Sequence, residues 1–171
     1  MFRRPPLHYP DRPLHHFLQD AADRHPEKIA LRFDDDVYMY RELDSCGNAF
    51  AHALGRLALG AHPRVALFVS NRPEWIIAQH GVSLAGGSVV LPNPTWKATE
   101  VRHAFGLTSP DVVVADAAFA DVVDEVVGNE EGRITKVLDP ASLADQVGTR
   151  RALDTQGSKA ELSIVGHGPE T

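Results

Sequence analysis

The 171 residues are 43% hydrophobic and 23% charged, enough for one globular domain that buries roughly 70% of its unfolded surface without a disulfide or metal staple. Seventeen basic against 23 acidic residues leave a net charge of -6, which repels nucleic-acid phosphates instead of neutralising them and argues against that class of partner. The one cysteine, Cys46, cannot form an internal disulfide and points to a reducing cytoplasmic setting. Pro5, Pro6, His8 and Pro10 occupy the place of a secretory apolar stretch, and the longest apolar run is five residues (65–69), against roughly 20 for a bilayer span.

After an irregular Pro-rich arm (1–13), Leu14, Phe17, Leu18, Ala21 and Ala22 recur at helical spacing until His25-Pro26 ends the pattern. Residues 29–33 and 37–40 are β-prone and flank Asp34-Asp35-Asp36, so a small antiparallel hairpin is predicted. A second helix, about 41–57, puts Leu43, Cys46, Phe50, Ala51, Leu54 and Leu57 on one stripe and turns Cys46 inward. Residues 64–69 read as an apolar strand. In the turn that follows, Asn71 is a candidate helix cap, Pro73 the first helical residue and Glu74 the group that reaches back.

The helix at 75–85 is apolar on most sides, which predicts burial. Beyond it come a buried strand (88–91), a helix (98–107), a strand (112–115), a helix (117–127) and a strand (134–138). The alternation predicts an α/β fold: a mostly parallel sheet with helices on both faces, plus the N-terminal hairpin. This unit spans 14–139, and 140–171 reads as a polar linker or an approach to a further region.

Several apparent motifs fail for lack of structural context. Gly81-Val82-Ser83-Leu84-Ala85 resembles a nucleophile elbow, but Ser83 falls inside a predicted helix, not on a strand-to-helix turn. Gly81, Gly86, Gly87 and Ser88 have nearly P-loop spacing, yet the phosphate-binding Lys is absent and the order is helix then strand. These glycines read instead as a helix stop and a close-packing surface. Nine histidines include no i, i+4 pair. Asp34-Asp35-Asp36 is the composition of a solvated turn, and Asp121, Asp124 and Glu125 fall on one solvated helix face. No residue is assigned to catalysis or to a metal on these grounds.

The specific punctuation lies elsewhere. Tyr40-Arg41-Glu42-Leu43, the stretch 71–75 (Asn-Arg-Pro-Glu-Trp) and the stretch 85–94 (Ala-Gly-Gly-Ser-Val-Val-Leu-Pro-Asn-Pro) follow one another at characteristic distances, with Glu100, Val101 and His103 beyond. Together they resemble the N-terminal subdomain of acyl-CoA synthetases and related AMP-binding adenylating enzymes, over residues 14–138. Departures are Met39 where Thr is common, His62-Pro63-Arg64 where Gly-Asp usually precedes the strand, and Lys97 at a frequent Ser/Thr cap, the last worth about 1 kcal/mol of capping.

The resemblance implies a fatty-acid-CoA ligase-like enzyme in which a carboxylate attacks the α-phosphate of ATP to give an acyl adenylate and pyrophosphate, and the CoA thiol then takes the acyl group and displaces AMP, with ATP, Mg and CoA required by the full-length enzyme. In that family the Gly-rich phosphate loop, its Lys, the magnesium carboxylate, the ribose Asp and the C-terminal Lys all lie downstream, so none can be assigned to these residues. The resemblance therefore implies a chain cut before the phosphate loop and inactive alone, whose partner is the remainder of the enzyme in the same or a separate chain; a homodimer is compatible with it. Asn71, Trp75, Asn93 and Trp96 fall near strand ends and are the candidate walls of a substrate passage, with structural roles competing at all four. A stand-alone nucleotide- or small-molecule-binding module, and a docking partner that completes a split enzyme, remain alternative readings.

Overall fold

The computed structural model describes residues 10–128 and 135–138. Two strands, β1 (Ile29–Phe33) and β2 (Asp36–Met39), form the expected antiparallel hairpin. Asp34, at φ 49°, turns it in the left-handed region that Asp tolerates better than most side chains. The hairpin lies between helices α1 (His15–Arg24) and α2 (Tyr40–Gly55) in sequence, and its Leu31 and Tyr38 pack against the main core.

The rest is a four-stranded parallel sheet in the order β4 (Ser88–Val90), β3 (Arg64–Phe68), β5 (Val112–Ala115), β6 (Thr135–Leu138). Its two faces follow from the period of two along a strand. Val65, Leu67, Val69, Val112 and Val114 face a core built with α2 and α3 (Pro73–Leu84), through Leu43, Phe50, Leu54, Ile77 and Val82. Ala66, Phe68, Val113 and Ala115 face the opposite core, built with α4 (Ala98–Thr108) and α5 (Ala120–Val127) through Val101, Phe105, Val123 and Val126. The two central strands, apolar from Val65 to Phe68 and from Val112 to Ala115, are thus buried on both sides, as all-parallel sheets require.

Several boundaries differ from the sequence reading, each for a local reason. The α3 N-cap is Arg72, in extended backbone and without a side-chain capping bond; Pro73 is the first helical residue, as expected, but Asn71 is exposed and Glu74 is forked by Arg72 instead of reaching back. A bidentate charge-assisted pair outweighs a neutral cap. The strand expected at 88–91 to be buried is shorter and pairs only with β3 among the described residues. Val89 and Val90 are therefore half-buried, and Leu91 is 52% exposed. The helix expected at 117–127 opens as a 3-10 turn, Ala117–Phe119, before α5 begins. Helix α2 ends at Gly55, before Leu57, and its inner face uses the small residues Gly47, Ala49 and Ala53 alongside Leu43, Phe50 and Leu54. Cys46 does turn inward: burial pushes its thiol pKa up, and the Glu42 and Glu74 carboxylates add to the shift.

Lys97, expected to be a poor cap for α4, is compensated by Glu100, whose carboxylate accepts the Lys97 N–H at 3.1 Å. Helix α3 stops in a Schellman arrangement, with Gly87 N–H on the Val82 carbonyl (2.9 Å), Gly86 N–H on that of Ser83 (3.1 Å) and Gly86 at φ 71°. The helix-stop reading of these glycines holds. Gly86→Ala is expected to cost about 1 kcal/mol, because a Cβ is disfavoured at that φ although its neighbours, the Ala61 carbonyl first, stand at ordinary contact distance; the urea midpoint of the variant checks it.

No helix among the described residues is long and apolar enough to cross a membrane. The expected linker at 140–171 lies outside the described residues, as does most of the N-terminal arm.

Candidate functional site

The strand order places a reversal between β3 and β5: the chain leaves β3 through α3 to β4 on one flank, then crosses through α4 to β5 on the other. In open parallel sheets a crevice forms outside the carboxyl ends at such a reversal, because the two connections depart to opposite faces. Here the connections are 69–72, after β3, and 116–119, after β5.

A polar network joins them. Asp116 is 6% exposed; its Oδ2 accepts the Ser70 N–H at 2.7 Å, and its Oδ1 lies 3.4 Å from Arg72 Nη1. Arg72 turns its Nε and Nη2 to the two oxygens of Glu74, at 2.8 and 2.9 Å. Phe68, at the end of β3, and Phe119, after β5, stack with ring centroids 4.3 Å apart on the α4/α5 side. On the other side stands Tyr38, whose phenol pKa is raised by burial first and by the Glu74 carboxylate next.

Of the four predicted wall residues, Asn71 is exposed on the β3 connection, beside Arg72. Asn93 and Trp96 share one turn after β4: Asn93 Oδ1 accepts the Thr95 N–H (3.0 Å) and hydroxyl (2.9 Å), and the Trp96 N–H reaches the Asn93 carbonyl (2.9 Å). The Trp96 side chain is 36% exposed. Trp75 is different, packing half-buried against the α2/α3 core. Three of the four thus stand at the carboxyl ends of neighbouring strands, and the fourth is engaged in packing.

Sequence reasoning missed Arg72 and Asp116. A signal for Asp116 was present, since it is the first charged residue after four wholly apolar ones at a strand's carboxyl end. Its partner, 44 positions away, was not readable.

A second polar pair, buried His80 Nε2 with half-buried Asp44 Oδ1 at 3.0 Å, joins α3 to α2; Asn48 Nδ2 donates to the same Asp44 carboxylate at 3.1 Å. Nearby, His15 Nδ1 and Ser83 Oγ are 3.1 Å apart and tie α1 to α3. Burial, then His16 and His80, lowers the His15 pKa. Ser83 is thus a helix-packing residue and not a nucleophile on an elbow. A cleft of about 240 Å³ lined by Leu54, Leu59, Pro63 and Ala85 lies by the loop that leads into β3, at the end of the sheet away from the crevice.

At that amino end, Asp111 accepts the Arg64 N–H at 2.7 Å. This bond, followed by the Arg64 side chain, holds the Asp111 carboxyl pKa below the usual range. A depressed pKa means stability that is present above the unfolded value and is lost as pH falls below it. Thermal midpoints should therefore drop more steeply below about pH 4 in the wild type than in Asp111→Asn; parallel curves would exclude the linkage.

Residues 18–164 match the AMP-binding enzyme family. The chain is 30% identical over 159 residues to N-(5-amino-5-carboxypentanoyl)-L-cysteinyl-D-valine synthase of Streptomyces clavuligerus, covering 90% of this chain and 19% of that protein. Its fold is similar to that of the N-terminal domain of FACL13 from Mycobacterium tuberculosis, with TM-score 0.73, 23% identity and coverage of 90% of this chain and 40% of that one. It is also similar to a Mycobacterium tuberculosis fatty acyl CoA synthetase, with TM-score 0.73, 22% identity and coverage of 85% and 30%. The chain thus spans about a fifth of the synthase and less than half of either solved structure. The match over most of its residues, on a sheet of this topology, shows that the chain belongs to the AMP-binding enzyme family.

Proposed function

We propose that the chain is the N-terminal part of an ATP-dependent acyl-CoA ligase, which activates a carboxylate as an acyl adenylate with release of pyrophosphate and then passes the acyl group to the CoA thiol. The family match over 18–164 carries this reading, and the likeness to a fatty acyl CoA synthetase fold supports the CoA form. In this reading the unit at 14–139 is scaffold, Asn71, Asn93 and Trp96 wall the substrate passage while Trp75 packs against the α2/α3 core, and the remainder of the domain, in the same or a separate chain, is the partner. A cytoplasmic setting belongs to the same proposal and rests on the lone Cys46.

The polar side chains at the reversal point, Arg72, Glu74 and Asp116, do not fit triphosphate or magnesium. Arg72 is committed to two carboxylates, Glu74 and Asp116 are committed to Arg72, and no cluster of three ligating side chains stands among the described residues. Developing phosphoryl charge needs donors fixed in place, so the 171-residue chain by itself is proposed to be inactive.

Carboxylate-dependent ATP–pyrophosphate exchange tests this. The chain alone should show none above background, and joined with the remainder of the domain it should show exchange that depends on the acid supplied. Exchange by the chain alone, or saturable ATP or AMP binding to it, would favour the stand-alone module instead. A second reading, an amino acid as the activated carboxylate, is favoured by the 30% identity to a peptide synthase. Fatty, aryl and amino acids compared in the same assay separate the two.

A further inference from the structure

The two connections at the reversal point are held together by a side chain, where the sheet's own hydrogen bonds run out. Asp116 continues the β3–β5 ladder by one backbone bond, its N–H on the Phe68 carbonyl at 3.2 Å. Its carboxylate then crosses to the Ser70 N–H at 2.7 Å. A carboxylate this buried is costly unless charge-assisted partners surround it; Arg72, from the same connection as Ser70, supplies the charge. Arg72 is fixed in turn by its fork onto Glu74 in the first turn of α3. The chain of contacts runs from the end of β5 to the end of β3 and the start of α3.

Its charge is equally specific. One guanidinium against two carboxylates leaves this rim acidic. Such a rim repels a triphosphate or a free carboxylate head, and suits the uncharged body of an organic acid whose head points elsewhere.

Resting on the adenylating-enzyme reading, we propose that Asp116 and Arg72 are positioning residues. They lock the 69–72 and 116–119 connections at one separation and so fix the mouth that receives the acyl body of the carboxylic-acid substrate. They touch neither the nucleotide nor the reacting atoms. The latch orients by geometry: shifting one connection against the other by about an ångström is enough to spoil alignment of a bound acid with its reaction partner.

Two readouts test it. In the 171-residue chain, Asp116→Asn leaves a neutral oxygen where a charged acceptor stood, and amide exchange at Ser70 should quicken roughly fivefold to tenfold. Unchanged exchange overturns the latch.

In the assembled enzyme, this chain joined with the remainder of the domain, Asp116→Asn and Arg72→Lys should each raise KM for the carboxylic acid roughly tenfold to a hundredfold, while KM for ATP stays within about twofold. Lys keeps the charge but cannot fork Glu74 and reach Asp116 together, so Arg72→Lys carries the test if Asp116→Asn fails to fold. An unchanged acid KM, or both KM values rising together, overturns the positioning role. If the wild-type assembly shows no acid-dependent exchange, the adenylating-enzyme reading is what fails, and the Ser70 result still decides the latch.

Discussion

Phe68→Ala should destabilise the chain by about 3–5 kcal/mol, the range for deleting a fully buried aromatic side chain. Phe68 has no exposed surface and sits on the second strand of the sheet, facing the α4/α5 core. Its ring stacks on Phe119 with the planes 15° apart, so truncation removes an aromatic contact as well as buried area. The cavity cannot refill cheaply: the neighbours on that face of β3 and β5 include Ala66 and Ala115, which have no side chain to extend into it. Urea unfolding should show a lowered midpoint with an unchanged slope. A loss below about 1 kcal/mol would mean that the α4/α5 layer closes over the gap.

Gly81→Ala should cost about 2 kcal/mol, although the same substitution in an exposed helix is stabilising by up to about 1 kcal/mol. A Cβ at Gly81 would lie 2.8 Å from the Gly47 carbonyl oxygen, 2.7 Å from Phe50 Cδ1 and 2.8 Å from Phe50 Cβ. No rotamer change moves a carbonyl or a Cβ, so α2 and α3 must separate, and overpacking of this kind costs typically about 1–3 kcal/mol. Gly106 is the control. It lies in α4, exposed, with nothing within 4 Å of an added Cβ, and Gly106→Ala should gain about 0.5–1 kcal/mol. Opposite shifts in thermal midpoint for the two substitutions are the expected result. A neutral Gly81→Ala would mean that the helices part without loss.

The pairing of Gly81 with Gly47 shows how far a single sequence reaches. A helix apolar on most sides predicts burial of Gly81, and that reading holds. It could not say which neighbour needs the missing side chain, because Gly47 is on a different helix whose crossing with α3 is a tertiary fact. His80 is similar: an apolar helix predicts that a histidine within it needs a partner, but Asp44, 36 positions away, is named only by the fold.

The elements themselves were legible because their signals are local. Alternation of apolar strands and helices required burial on both faces, and the 85–94 punctuation marked a helix stop, a strand and a turn before any fold was known. Errors arose where one local preference competed with another or with position in the sheet. Asn71 is no cap because Arg72 takes Glu74, and the strand at 88–91, apolar in composition, stays partly exposed because burial depends on what lies beside it.

Fold class and family are readable from the amino-acid order alone, since each rests on residue types at short fixed spacings. Folding in three dimensions settles which strand ends meet, that Asp116 closes on Ser70 and Arg72 across the reversal point, and that Trp75 packs on the core while Asn93 and Trp96 stay exposed in the turn after β4. Those contacts join residues far apart in the chain. Their geometry comes from strand order and helix crossing, which many sequences with the same local pattern could satisfy differently.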